Sequence, residues 1–351
     1  HPHPHPHPHP HPHPHPHPTF DIRLLFLLLF LLCFNVFADD CALAAHTHED
    51  MQFFMDRFPT SCRRFGLTIS LSKTESMYQP ASSQNASASL PPAIKIDDKQ
   101  IKSVDKFCYL DSTLCSNGAL NAEVTLRIAK ASSAFGRLNN RLWNNKGIRL
   151  STKIKTYRAL VLTTLLYCCE TWKMYRRHIQ QLEQFHQRCL RKILGIKWQD
   201  RVSNLQVLER SGLPSIESLL IQCQLRWTGH VARMTDSRIP KTLLYGQLKE
   251  GHRELGRPCK RFKDTLKTNL KACDIDIASW EIDALDRSRW RMLCSSGIKT
   301  FENKRMLAIK EKRERRKQGP TSGDVFPCNT CGKCCASRIG LFSHMKTHTD
   351  R

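Results

Sequence analysis

The chain has 351 residues, with 55 lysines and arginines against 31 acidic residues and a formal net charge of +24. That length allows two or three domains with a sizeable core and excludes a small disulfide-stapled scaffold. A cationic excess spread over the whole chain points to RNA or DNA, met mostly through phosphates, rather than to a membrane surface bound by one amphipathic segment.

Residues 1–18 are a strict His-Pro repeat. Proline at every second position forbids helix and sheet, leaving an extended, solvated tail. Its imidazoles could take a transition metal, and translated simple-repeat DNA is the simpler origin. The first methionine is Met51, so the natural start of the protein is expected elsewhere. In the apolar segment 19–36, Leu24 to Phe34 is almost all Leu and Phe, preceded by Arg23. It reads as a signal h-region or short membrane segment, though it falls short of the roughly 20 apolar residues of a spanning helix. The other reading is an accidental junction, because Asn35, Asp39 and Asp40 close the run where small cleavage-site residues would stand.

Beyond Phe37 the texture is that of an α+β protein. Met51, Phe54, Met55 and Phe58 fall on one helical face, Phe65 and Gly66 end that helix, and Leu67 to Leu71 alternates as a strand should. The Ser-, Ala- and Pro-rich stretch from Gln79 to Pro92 is a loop. From Ala119 the periods are helical. Val124, Ile128, Ala131, Phe135 and Leu138 share one face, and Arg127, Lys130, Arg137 and Arg141 interleave as a basic one. Helices near Lys153 to Tyr167 and Arg177 to Leu194 repeat the pattern. A single charged stripe is a solvated face; three in succession also suit contact with a phosphate backbone.

Residues Arg201 to Cys294 read as less regular, with Trp227, Trp280 and Trp290 as core anchors and a turn at Gly256-Arg257-Pro258. Lys304 to Lys317, with eight basic residues, is expected as a helix closed by Gly319-Pro320. It serves either as a nuclear localisation signal or as a solvated linker. Of the 16 cysteines, twelve lie singly or as one pair ahead of Cys328, which fits a reducing, intracellular setting.

The last segment carries the sharpest signal. Cys328-x-x-Cys331, twelve residues, then His344-x-x-x-His348 is the spacing that lets a hairpin knuckle and one helix close a tetrahedron on zinc. Phe326 and Leu341 supply a small core, but Cys335 stands where such fingers usually have Phe. Cys334 and Cys335 could compete as ligands, so the register stays open. With His344 as the seventh helical position, the base-reading slots fall on Ser337, Gly340 and Ser343. These offer no bidentate base contact, so phosphate attraction aided by Arg338 and Lys346 is the expected role.

Phe37-Ala38-Asp39-Asp40-Cys41-Ala42-Leu43 resembles the aspartate-pair motif of reverse transcriptases. Glu49-Asp50-Met51-Gln52 and Phe65-Gly66-Leu67-Thr68-Ile69 with Lys73-Thr74-Glu75 resemble the next palm motif. Phe107-Cys108-Tyr109-Leu110, Arg226-Trp227-Thr228-Gly229-His230-Val231 and Gly256-Arg257-Pro258 resemble the region beyond it in non-LTR retrotransposon polyproteins. The order of these motifs makes residues 37 to about 300 similar to the C-terminal part of such an element's RNA-directed DNA polymerase.

The resemblance implies a palm remnant at 37–118, a helical thumb-like region at 119–200 and a C-terminal region of the polymerase at 201–300. A basic helix and linker at 301–320 and the zinc finger at 321–351 complete the organisation. It also implies catalytic roles for Asp39 and Asp40, and for Lys73 near the incoming nucleotide. Polymerases clamp two magnesium ions between carboxylates from separate strands, and the family's other aspartate is expected far upstream. Asp21, 18 residues before Asp39, is too close to leave room for the intervening helix. Magnesium is therefore expected only if polymerase activity survives through an upstream partner chain. Asp111 replaces the glycine that relatives tend to carry after Tyr-Leu, which would alter the primer-side turn. His186 and Cys189 share a helical face and read as packing residues more readily than as a zinc or nucleophile site. The expected setting is nuclear or cytoplasmic. The alternative is a membrane-tethered protein using its finger as an interaction module.

Overall fold

The computed structural model describes residues 33–37, 39–79, 91–246, 260–317, 326–335 and 337–349. The His-Pro repeat, Asp21, most of the Leu/Phe run and of the loop at 79–92, and the Gly256-Arg257-Pro258 turn lie outside these residues. The chain divides after Ala119 into two compact units, and the fold is α+β with helix predominating. Among the described residues, no helix is long and apolar enough to cross a membrane.

In the first unit, β1 (Cys33–Phe37) pairs antiparallel with β2 (Asp40–Ala44), with Phe37 opposite Asp40. The end of the Leu/Phe run is therefore strand, and Asp39 stands in the hairpin connection. Helix α1 (His48–Arg64) starts where the Thr47 hydroxyl accepts the Asp50 N–H at 3.1 Å, an N-cap that satisfies one of the helix's orphan donors. It ends at Phe65, followed by Gly66 at φ 70°, the left-handed region that suits glycine. Met55 packs with Ile94, Ile96 and Ile101. Gln52 fastens α1 to Lys95, donating to its carbonyl at 3.0 Å and accepting its N–H at 2.9 Å.

Leu67 to Leu71 is not a strand. The Leu67 N–H turns back to the Cys62 carbonyl, and the Ser70 carbonyl takes the N–H groups of Lys73 and Thr74. Local turn bonds thus occupy the backbone groups that a ladder would need. The other strands are short: β3 (Glu75–Ser76), β4 (Lys95–Ile96), β5 (Lys99–Gln100), β6 (Lys102–Ser103), β7 (Lys106–Tyr109) and β8 (Ser112–Cys115). They pair as β3–β6, β4–β5 and β7–β8. The β7–β8 connection places Leu110 and Asp111 at φ 46° and 65°. Both residues of the turn thus lie in the left-handed region, which Asp tolerates.

In the second unit, α2 (Asn121–Arg137) buries the expected stripe, with Val124 and Ala131 fully enclosed and Ile128, Phe135 and Leu138 packed beside them. A wider turn (Asn139–Trp143) follows, and α3 (Leu150–Thr156) continues through a similar turn (Tyr157–Leu162) into α4 (Thr163–Leu165). Helix α5 (Arg176–Leu194) runs through the same core, which buries Leu182, Phe185 and Leu190.

The described residues of 201–294 are mainly helical, where the sequence reads as less regular. They form α6 (Asn204–Ser211), α7 (Ile216–Ala232), α8 (Ile239–Tyr245), α9 (Phe262–Ala272) and α10 (Trp280–Leu285). Ser203 and Ser215 cap α6 and α7. Apart from α7, these elements are no longer than 11 residues, so no long period emerges from the sequence. Trp280 and Trp290 are buried and Trp227 packs against them. The basic run expected from Lys304 is the end of a longer helix, α11 (Arg287–Lys317), whose first half is held in the core by Trp290, Cys294 and Ile298. Midway along it, the Glu302 carboxylate accepts the hydroxyls of Ser215 and Ser218 at the start of α7. Burial pushes the Glu302 carboxyl up, but the two serines and Arg305 hold it below its usual range.

Candidate metal centre and nucleic-acid interface

In the last segment, β9 (Phe326–Pro327) pairs antiparallel with β10 (Cys334–Cys335), and α12 (Arg338–Thr349) follows. The knuckle between the strands is closed by two backbone bonds. The Gly332 N–H donates to the Cys328 carbonyl at 2.8 Å, and the Cys328 N–H donates to the Lys333 carbonyl at 2.9 Å. Gly332 adopts φ 72°, which is why glycine suits this position. The Ser337 hydroxyl accepts the Gly340 N–H at 3.0 Å and starts the helix. His344 and His348, one turn apart on α12, then face Cys328 and Cys331.

The four ligand atoms lie within 4.8 Å of one another. Cys331 Sγ is 3.0 Å from His344 Nε2, Cys328 Sγ is 3.5 Å from His348 Nε2, and the two imidazole Nε2 atoms are 3.2 Å apart. Zinc bonds of about 2.3 Å to sulfur and 2.0 Å to nitrogen give a tetrahedron with edges of about 3.3 to 3.8 Å. Two cysteines and two histidines therefore form a group that can hold one metal ion, and both spacing and donor chemistry suit zinc. The N–H groups of Thr330 and then Cys331 bring the Cys328 thiol down to about 6, against burial. That favours the thiolate a metal requires. Cys334 and Cys335 stand outside the four, with the Cys334 thiol near the Gly332 carbonyl. No protein-family model, curated protein or solved structure matches the chain.

Ser337, just ahead of α12, and Ser343 on it are exposed and short. Arg338 and Lys346 are exposed as well, their cations 5.8 and 5.2 Å from the Phe326 and Phe342 rings. Ile339 and Phe342 are 80% and 65% exposed, so Phe326 and Leu341, both half-buried, leave the apolar packing of this segment thin.

Asp39 and Asp40 are exposed, and Lys73 is exposed in the turn after Leu71. Among the described residues, the one group of three or more metal-ligating side chains is that of Cys328, Cys331, His344 and His348, so no third described carboxylate gathers at the aspartate pair. Burial and the nearby Asp40 carboxylate push the Tyr109 phenol up.

The basic face of α2 is smaller than its sequence suggests. Arg127 is 1% exposed and its Nε donates to Glu123 Oε1 at 2.6 Å, where Glu123 is equally enclosed. It therefore cannot reach a phosphate, and its charge is matched inside the core. Lys130 is half-buried, while Arg137 and Arg141 are exposed. Lys153 is also buried, donating to the Trp143 carbonyl at 2.9 Å. His186 and Cys189 are core residues. His186 Nδ1 lies 2.9 Å from the Tyr157 hydroxyl, burial lowers the imidazole, and burial pushes the Cys189 thiol up to about 12, which suits packing and not nucleophilic attack.

Proposed function

We propose that the chain is a zinc-binding, nucleic-acid-binding fragment of a non-LTR retrotransposon RNA-directed DNA polymerase, without polymerase activity of its own. The observation that carries this reading is the Cys328, Cys331, His344 and His348 group, whose spacing suits zinc. The net charge of +24 and the exposed Arg137, Arg141, Arg338 and Lys346 support phosphate contact. The short side chains at Ser337 and Ser343 support binding with little sequence preference. The motif order from Phe37 to Pro258 supports the family, and the place of Asp39 in a hairpin connection agrees with it. A second reading, favoured by that hairpin, is a polymerase completed by an upstream chain that supplies the missing carboxylate.

Fluorescence anisotropy of the zinc-loaded chain with RNA, single-stranded DNA and duplex DNA across a salt series tests the proposal. The logarithm of affinity should fall against log salt with a slope of about −0.9 per phosphate neutralised on duplex and about −0.7 on single strands. Chelation should remove part of the binding. Absence of binding at low salt would overturn the nucleic-acid reading.

A further inference from the structure

We propose that Trp198 and the cationic groove beside the end of α11 form a platform for single-stranded nucleic acid, in which an unpaired base stacks on the Trp198 indole. Trp198 is 85% exposed, whereas Trp143, Trp172, Trp280 and Trp290 are buried and Trp227 is packed against the core. A large aromatic ring facing water marks an interaction surface better than it marks a fold element. The backbone presenting it is fixed. Gly195 ends α5 in the left-handed region, the Lys197 N–H donates to Asp200 Oδ2 at 2.7 Å, and Arg191 donates to the Val202 carbonyl and to Asn204 Oδ1 at 2.8 Å each.

Lys192, Lys197 and Arg201 flank the ring in sequence, the pairing of aromatic and cation that single-strand binders use. Five residues on, Ser203 opens a groove of about 990 Å³ between α5, α6 and α11. A five-residue stretch spans at most about 18 Å, so ring and groove are within reach of one short strand. Five cations and three carboxylates line the groove, and of the cations Lys310, Lys312, Arg313 and Arg316 are exposed. Lys310 approaches Glu209 at 3.7 Å with both side chains about half exposed, a pairing that a phosphate can displace. Gln187 lines the same groove, is 5% exposed, and has no partner for its Oε1. A base carries the N–H donors that would satisfy this acceptor, and a bare phosphate does not. Bases in a duplex are already stacked and paired, which is why the platform favours a single strand.

The inference rests on the nucleic-acid reading, and the test separates the two. Anisotropy with the full zinc-loaded chain uses an unstructured oligodeoxythymidine, a duplex of equal length and polyglutamate as competitor. Trp198→Ala should weaken the oligodeoxythymidine about 5- to 150-fold, Trp198→Phe should recover most of that, and duplex affinity should hold. The triple variant Lys312→Gln/Arg313→Gln/Arg316→Gln should lose more single-strand affinity than Lys146→Gln/Arg149→Gln/Lys155→Gln, which removes equal charge from exposed positions elsewhere. Unchanged single-strand affinity in Trp198→Ala, with the parent chain binding well, would overturn the platform and leave the nucleic-acid reading standing. Equal losses in the two triple variants would overturn the groove in favour of diffuse charge. Polyglutamate that competes through Trp198 would make the partner an acidic peptide, and a parent chain that binds no nucleic acid at low salt would remove both readings.

Discussion

Arg127→Met isolates what the buried ion pair of α2 does. Arg127 and Glu123 stand one turn apart with 1% of each side chain exposed and 2.6 Å between Nε and Oε1, and the guanidinium lies 4.6 Å from the Tyr167 ring. Removing the cation leaves a carboxylate in the core, which costs about 3 to 5 kcal/mol. Set against a typical total of about 5 to 15 kcal/mol, that is a large fraction of the stability. Replacing both partners, as Glu123→Leu/Arg127→Met, removes the stranded charge and should recover the loss or exceed it by about 1 to 4 kcal/mol. Urea unfolding followed by tryptophan fluorescence reads both variants, because all six tryptophans follow Ala119. The double variant should also bind nucleic acid as the parent does. A single-variant loss below about 1 kcal/mol, together with weakened nucleic-acid binding, would refute the burial argument and return Arg127 to the basic face.

Acidification should destabilise the fold through His186. Burial lowers its folded value, so below the unfolded value of about 6.5 the unfolded chain takes up a proton that the fold refuses. Stability then falls by up to about 1.4 kcal/mol per pH unit until the lowered folded value is reached, with His178 acting in the same direction. Urea midpoints between pH 8 and pH 5 check this, and His186→Gln should flatten the slope. Cys328, held down to about 6 from 9.0, contributes in full above its ordinary value and loses its contribution as pH falls through about 6. Zinc competition against a chelator over the same pH range should show affinity falling progressively as pH drops, because protons compete with the metal for the cysteine and histidine donors. Gly229→Ala would place a Cβ inside the Trp290 indole, and such overpacking costs about 1 to 3 kcal/mol or more. A thermal melt that does not move would show that the Trp290 contact is looser than described.

Helices whose apolar stripe meets one continuous core were legible from sequence. Val124, Ala131, Leu182 and Leu190 recur at helical spacing because one partner surface covers them all. The grouping of Cys328, Cys331, His344 and His348 was legible because their spacing is local, set by a knuckle and one helical turn. Burial of charge was not. Glu123 and Arg127 have the spacing of an ordinary surface pair, and only the packing around α2 decides that they face inward. Lys153 escaped for the same reason, since its partner is the Trp143 carbonyl. Leu67 to Leu71 alternates like a strand, but its turn bonds run back to Cys62 in the preceding helix and on to Lys73 and Thr74. Trp198 drew no reading from the sequence, because nothing in a single sequence distinguishes a tryptophan that finds a core from one that finds none.

Cobalt(II) titration of the metal-free, reduced chain tests whether Cys328, Cys331, His344 and His348 form one metal site. One equivalent should bind with the strong visible absorption of tetrahedral S₂N₂ coordination, displaced by one equivalent of zinc and abolished in His344→Asn. A spectrum without tetrahedral character, or one that survives His344→Asn and disappears when Cys334 and Cys335 are replaced by serine, would contradict it.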